Sequence, residues 1–331
     1  MPAQALVGAD DLLVFYAPSG EYPNYSGTGF WIGQVQEVTF DQNEGRETIK
    51  YVAGAGGGQG RNIDSFIQGK RDYTGTIRYY PQGGNLFGFA IGSMSVAGGS
   101  LYTGVETGGR IYWGGLGLFN GNPNSTTGLL RNLSGFTIDR IKLSGRQGEP
   151  CEVEINYSAG SITNNTAGTK PSVTVDTQRT PYMWDNCQII ISGGTAYTDI
   201  LHPVLEFSWE LNNNLYNPFY CDNTQYKGES IPQGRDYTID LTLHMTQTSG
   251  AALYDKLFFG GSEFITVINL VRTANSDQFQ IICSGCKMTA MEIPLPLEGP
   301  IEQTCTIIPQ TCSLRIVDSG TTAYPNWSLA K

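Results

Sequence analysis

Apolar and polar residues alternate with a period of two along two distant stretches of the chain, the pattern of a strand buried on one face. In residues 233–245 (QGRDYTIDLTLHM), Tyr237, Ile239, Leu241, Leu243 and Met245 point one way, while Asp236, Thr238, Asp240, Thr242 and His244 point the other. In residues 68–80 (QGKRDYTGTIRYY), Tyr73, Ile77 and Tyr79 oppose Asp72, Thr74, Thr76 and Arg78. A second pair of segments behaves alike. Leu205, Phe207 and Trp209 oppose Glu206, Ser208 and Glu210 in VLEFSWELNN, as Val38 and Phe40 oppose Glu37 and Thr39 in VQEVTFDQN. Each strand offers one face to a core and one to solvent or a channel.

The matches lie 169 (Val35 to Val204) and 164 (Asp72 to Asp236) residues apart in a chain of 331. Two similar β units in tandem are therefore predicted. A short helix is expected after each alternating strand: residues 85–91 in the first unit, and 249–258 in the second, where Gly260-Gly261 is the stop signal. Hairpins close both units, 136–143 with 151–157 and 287–297 with 303–308. There the offset falls to 152 (Ile141 to Ile293), giving the first unit about 12 extra residues (164 − 152), with 114–128 as their expected location. Residues 158–171 (SAGSITNNTAGTKP) read as a linker. The expected domains are 1–157 and 176–331, joined by 158–175. Two long segments, 41–69 and 212–234, interrupt the alternation at matching places, and such loops carry function or touch a partner.

Composition narrows the function classes. Charged residues make up 15% of the chain, and 42 glycines suit short strands and many turns. So sparse a charge also suits a surface largely covered by copies of the same chain. The net charge of −10, from 30 acidic and 20 basic residues, disfavours a protein that grips phosphate backbones, because that affinity comes from Lys and Arg displacing counterions. It is compatible with a surface past which nucleic acid slides without adhering. No run of 18 apolar residues predicts a transmembrane helix. The N-terminal stretch lacks a basic start and sets Asp10 and Asp11 before its most apolar part, so no signal peptide is expected.

Candidate chemistry is thin. The two histidines, His202 and His244, leave few ways to build a nucleophilic triad, and both have ordinary structural explanations. Gly54, Gly57 and Gly60 belong to a glycine-rich run without the Lys-Ser/Thr ending of a phosphate loop. Asp236 with Asp240, and Glu152 with Glu154, share strand faces as an acid pair could, yet alternating acids more often line a solvated or channel face. Seven cysteines, an odd number, exclude full pairing within one chain. The Cys283-Ser-Gly-Cys286 motif with Cys305 and Cys312 invites zinc, but the second pair lacks the short ligand spacing. Buried thiols are the leading expectation, a disulfide the next, and no metal, cofactor or catalytic residue is assigned.

At residues 180–215 (TPYMWDNCQIIISGGTAYTDILHPVLEFSWELNNNL) the chain resembles the opening of a tail tube protein of tailed viruses: an aromatic-rich start, a strand, a turn, and a second strand ending in Asn-Asn. The alternating strand, the helix segment and the closing hairpin CKMTAMEIPLPLEGPIEQTCTII continue the same order, and residues 34–157 follow it more loosely, with Asp41-Gln42-Asn43 at the Asn-Asn position. The resemblance implies an all-β fold with one short helix per unit, here as two tandem tail-tube-like β-sandwich or rolled-barrel domains. It implies sheets that join into a continuous barrel around a lumen, rings that stack through long loops, and three duplicated chains in place of six single units. Glu37, Asp72, Glu152, Glu154, Glu206, Asp236 and Asp240 are then lumen candidates. Gly54, Gly57, Gly60, Arg61, Asn217, Phe219 and Tyr220 are ring-stacking candidates. Implied partners are copies of the chain, other tail proteins (tape measure, terminator, baseplate or tip) and DNA in transient passage, within a virion tail assembled in the host cytoplasm. The alternative is a carbohydrate-binding or adhesin-like β-sandwich protein on a virion or cell surface.

Overall fold

The computed structural model describes residues 12–318 except 20, 44, 50–64, 99, 107–110, 122–125, 174–179, 193–203, 222–224, 245–260, 262, 273–276 and 295–297. The first half contains β1 (Leu12–Pro18), β2 (Tyr25–Phe30), β3 (Gly33–Val38), β4 (Asp41–Asn43), β5 (Arg46–Ile49), β6 (Ser65–Gln68), β7 (Asp72–Pro81), α1 (Asn85–Ile91), β8 (Gly92–Gly98), β9 (Leu101–Glu106), β10 (Gly114–Asn120), β11 (Thr127–Arg146), β12 (Glu152–Ala159) and β13 (Ser161–Thr169). The second half contains β14 (Cys187–Ser192), β15 (Val204–Asn212), β16 (Leu215–Tyr216), β17 (Ile231–Pro232), β18 (Asp236–His244), β19 (Phe264–Arg272), β20 (Asp277–Glu292), β21 (Glu302–Ile308) and β22 (Thr311–Val317). The expected helix at 249–258 lies outside the described residues.

One antiparallel sheet runs through both halves in the order β3/β4–β7–β12–β11–β15–β18–β21–β20. Its inner face carries the predicted apolar set, with Tyr73, Ile77, Tyr79, Phe207, Trp209, Ile239 and Leu241 all buried. Two further sheets flank it, β2–β1–β10–β11–β13 and β14–β19–β20–β22–β9–β8. The long strands β11 and β20 belong to the central sheet at one end and to a flanking sheet at the other. Each bends at a glycine in the left-handed region, Gly135 (φ 67°) and Gly285 (φ 62°), a conformation that a side chain makes costly. The bend accounts for Cys283-Ser-Gly-Cys286: it is the counterpart of Leu133-Ser-Gly-Phe136, a strand corner in each half.

Helix α1 is apolar nearly all round, with Leu86, Phe87, Phe89, Ala90 and Ile91 buried, as a helix enclosed between layers must be. Phe89 stacks on Phe30 of the first half at 6.2 Å, whereas Phe87 lies 5.8 Å from Trp209 and 4.7 Å from Phe279 of the second. The core is therefore shared across the expected boundary at residue 157. The segment read as a linker is β13, hydrogen-bonded to the outer half of β11. Its Ser, Thr and Asn side chains hid it, because an exposed strand held by backbone bonds needs no apolar alternation.

The two halves share their registers. Asn43 faces Asp72 as Asn212 faces Asp236, and each pairing carries a bulge at the same place, Val35/Glu37 and Val204/Glu206. From residue 114 onward the offset is 150: Ile141 faces Ile155 as Met291 faces Cys305, with bulges at Ile138/Arg140 and Met288/Ala290. The first half is thus 14 residues longer (164 − 150) between Pro81 and Gly114. The β8–β9 hairpin occupies that interval, so the extra residues lie before Gly114, not in 114–128 as expected.

Candidate assembly surface

The outer face of the central sheet collects the polar halves of the alternating strands. All seven lumen candidates lie on it by register: Glu37 and Glu154 both flank Arg78, Glu152 faces Ser144, Glu206 faces Arg146, Asp240 faces Ser208, Asp236 faces Asn212, and Asp72 faces Asn43. Of the basic residues among them, Arg78 shares the polar face expected of its strand, whereas Arg140, Lys142 and Arg146 were not anticipated on this surface. Arg78 Nη1 lies 3.7 Å from Glu37, and its Nε donates to Glu154 at 3.1 Å. Arg140 lies 3.7 Å from Glu154 and clamps Glu210 with two hydrogen bonds of 2.7 Å, from Nε to Oε1 and from Nη2 to Oε2. A row of alternating charges thus crosses β3, β7, β12, β11 and β15. The Glu210 carboxylate raises the Arg140 pKa above its ordinary value. The signal in the sequence is the even spacing of Arg140, Lys142, Ser144 and Arg146, but its meaning depends on which strand lies opposite.

On the second half the same face presents Glu206, Glu210, Asp236, Asp240, Glu292 and Glu302. Glu210 and Glu206 meet Arg140 and Arg146 of β11, and beyond them the basic side chains within reach among the described residues are His244, 3.8 Å from Glu302, and Lys287, 3.7 Å from Glu263. Asp240 is held by Thr306 Oγ1, which donates at 2.8 Å, and Asp236 accepts from Asn214 Nδ2 at 2.7 Å.

Both long loops leave the sheet through one turn. Asn43 Oδ1 accepts from Gly45 N at 2.9 Å, and Asn212 Oδ1 from Asn214 N at 3.0 Å; Gly45 (φ 57°) and Asn214 (φ 47°) both take the left-handed conformation. Asn is the side chain that closes such a turn and also tolerates that φ. Each loop then continues as a short hairpin in matching register, Arg46 facing Gln68 and Leu215 facing Pro232. Of the ring-stacking candidates, Gly54, Gly57, Gly60 and Arg61 lie outside the described residues. Asn217 turns inward and Phe219 sits under Lys70 at 5.0 Å. Tyr220 is exposed, with Tyr216, Tyr226 and Ile231 exposed on the same loop.

The inner side of that loop is pinned by polar groups that sequence inspection missed. The buried Lys227 ammonium donates to Ser158, to Ser230 at 3.0 Å and to Asn217 at 3.2 Å. Burial lowers its pKa to about 8, against the pull of Asp72 and Asp139. Asn213, fully buried, donates from Nδ2 to the carbonyls of Ala90 (3.1 Å) and Ile138 (3.0 Å) and accepts from Arg235 Nε at 3.0 Å. Both tie the second half to the first.

The cysteines do not converge. Cys283 and Cys312 face each other across β20 and β22 with sulfurs 2.7 Å apart, Cys151 and Cys187 lie 3.2 Å apart, and Cys305 belongs to the central sheet. Burial pushes the Cys286 thiol up to about 11 and the Cys305 thiol to about 12. Among the described residues no group of three or more His, Cys, Asp or Glu side chains could hold a metal ion. No helix among them is long and apolar enough to cross a membrane.

The chain is nearly all β, and its central sheet, running from β3/β4 to β20, offers one broad polar face. The family model of the phage tail tube protein matches residues 14–311, and the chain belongs to that family: it is a structural component of a virion tail, not an enzyme. No curated protein matches the chain. Among solved structures, the SPP1 tail tube determined by solid-state NMR and cryo-EM aligns at 11% identity over 43% of this chain and 82% of its own, with a TM-score of 0.33, too loose a likeness to carry further argument.

Proposed function

We propose that the chain is a tandem duplication of the tube unit and that three copies close a pseudo-hexameric ring. The reading is carried by one observation: two halves with the same registers and the same bulges lie side by side in a single sheet. That sheet ends in β3/β4 on one side and β20 on the other. Open edges invite further pairing, and repeating one lateral step closes a ring.

Rings stack into a tube through the long loops, with Tyr216, Tyr220 and Ile231 as apolar contacts. The polar face of the central sheet lines the lumen and conducts the viral genome towards the host. Its acidic second half repels phosphate, so DNA passes without adhering. Copies of the chain are the main partners; the tape measure, terminator and baseplate or tip proteins meet the tube along its lumen and at its ends, and assembly takes place in the host cytoplasm.

Negative-stain microscopy of the purified chain tests this. Rings on the order of 100 Å across, as expected for six domains of this size, or hollow filaments are the expected result. A protein that stays monomeric under all salt conditions and binds glycans would overturn it in favour of the adhesin-like alternative.

A further inference from the structure

Lys227 places an ammonium in the interior without a counter-ion beside it. It is 3% exposed, and its donors go to three neutral oxygens: Ser158 Oγ, Ser230 Oγ at 3.0 Å and Asn217 Oδ1 at 3.2 Å. Among the described residues no carboxylate lies within ion-pair distance of it. Asp72 on β7 and Asp139 on β11 are the acids whose charge reaches it, and Asp139 Oδ1 is already held by Leu215 N at 2.9 Å. A buried charge so placed is costly.

The backbone holds this amine against an amide. Gly228 N donates to Pro218 O at 2.8 Å, which sets Lys227 and Asn217 side by side on the two arms of their loop. Asn217 Oδ1 accepts from the ammonium and also from the Ser230 hydroxyl, at 2.7 Å. Both partners donate, so the amide turns its oxygen to them, and Nδ2 lies on the other side of the carbonyl carbon. Ser230 Oγ therefore accepts from Nζ and donates to Oδ1, bridging an amine and the carbonyl beside it.

We propose that Lys227 and Asn217 join in an isopeptide bond once the chain has folded. The neutral amine attacks Asn217 Cγ and the Nζ–Cγ bond forms. Ser230 passes a proton from Nζ to the carbonyl oxygen; the Cγ–Nδ2 bond then breaks, and the departing nitrogen takes that proton. One amine and one primary amide become one secondary amide and one ammonia, and no further reactant enters. Desolvation makes the lysine a nucleophile, the fixed contact replaces a chance encounter, and the Ser230 hydroxyl steadies the developing oxyanion. With burial lowering its pKa to about 8, roughly one amine in ten is neutral at pH 7. Freshly folded chains retain the titrating amine, and cross-linked ones have lost it. The product removes the buried charge and closes a covalent ring around the segment that exposes Tyr220 and Tyr226.

The intact mass of the full chain, denatured after incubation at about pH 9, reads the reaction. A species lighter by one ammonia, about 17 Da, is expected. Below pH 8 it should form about tenfold more slowly for each unit of pH. Chymotrypsin cuts after Phe219, Tyr220 and Tyr226, between the two residues, so the cross-linked chain yields two peptides still joined through Lys227 and Asn217. Lys227→Arg is expected to keep its full mass, and Ser230→Ala to react about a hundredfold more slowly. An unchanged mass of the unsubstituted chain overturns the bond. So does a loss of about 17 Da that persists in Lys227→Arg, the mark of a cyclised asparagine. Equal rates with and without the Ser230 hydroxyl overturn its part as the bridge. The joined peptides of the unsubstituted chain keep the test decisive whether or not the variants fold.

Discussion

The two halves of the central sheet have the same strand order, registers and bulges, yet they treat charge differently. Across β3, β7, β12 and β11 the acids are interleaved with Arg78, Arg140, Lys142 and Arg146, and the row ends on Glu210 of β15. Across β15, β18, β21 and β20 the acids stand almost alone. A backbone ladder is indifferent to side-chain charge, so one scaffold accommodates both. The cations are placed where the halves meet, and most acids of the second half are left without one. The core sides differ in a parallel way. Trp209 against Tyr237 (6.4 Å) is the counterpart of Phe40 against Tyr73 (6.3 Å), but Trp209 is sealed by the first half whereas Phe40 lies half-buried at an open edge.

Trp209→Ala breaks that comparison most severely. Removing a fully buried indole is expected to cost about 3–5 kcal/mol in urea unfolding, while Phe40→Ala, already half in water, costs well under half as much. Equal losses would mean that the two edges are equivalently packed in the isolated chain.

Lys227 separates the halves by pH. Its native pKa of about 8 lies below the ordinary 10.5, so between these values the unfolded chain holds a proton that the native chain has released. Stability is then expected to rise with pH across that window, by about 2–3 kcal/mol in all. Lys227→Met should flatten the rise, as read from urea midpoints between pH 7.5 and 9.5.

Asn213→Ala strips two carbonyls and Arg235 of their partner at the same boundary, and a loss of about 2 kcal/mol is expected in thermal unfolding. The smallest effect belongs to the charged row. Arg140→Ala removes the guanidinium shared by Glu154 and Glu210 on a partly exposed surface, leaving Lys142 between them, for about 1 kcal/mol at low salt and less at high salt. A loss that does not shrink with salt would assign Arg140 a packing role instead.

Much of the outer polar face was legible in the chain because a strand's period of two is a local property. Asp236, Thr238, Asp240 and Thr242 must share a face whatever lies beside them, and the spacing between the copies carried the registers of β3/β4 on β7 and of β15 on β18. The seven acids followed from the same rule. Other elements were invisible for a physical reason. β13 (Ser-Ile-Thr-Asn-Asn-Thr) is held by backbone hydrogen bonds and has no buried face to leave a pattern. Cys283-Ser-Gly-Cys286 looks like a ligand motif because a strand corner and a metal loop both need glycine. The extra residues of the first half were misplaced because counting offsets locates an insertion only between the matched segments on either side of it.

The sequence by itself determined an all-β chain and the polar face carrying its acids, since both follow from spacing along the chain. Only the tertiary structure decided that β11 lies against β15, that α1 of the first half packs under Trp209 and Phe279 of the second, and that Arg140 answers Glu210. Those contacts join residues whose neighbours are chosen by the packing of whole sheets, a choice that no local period records.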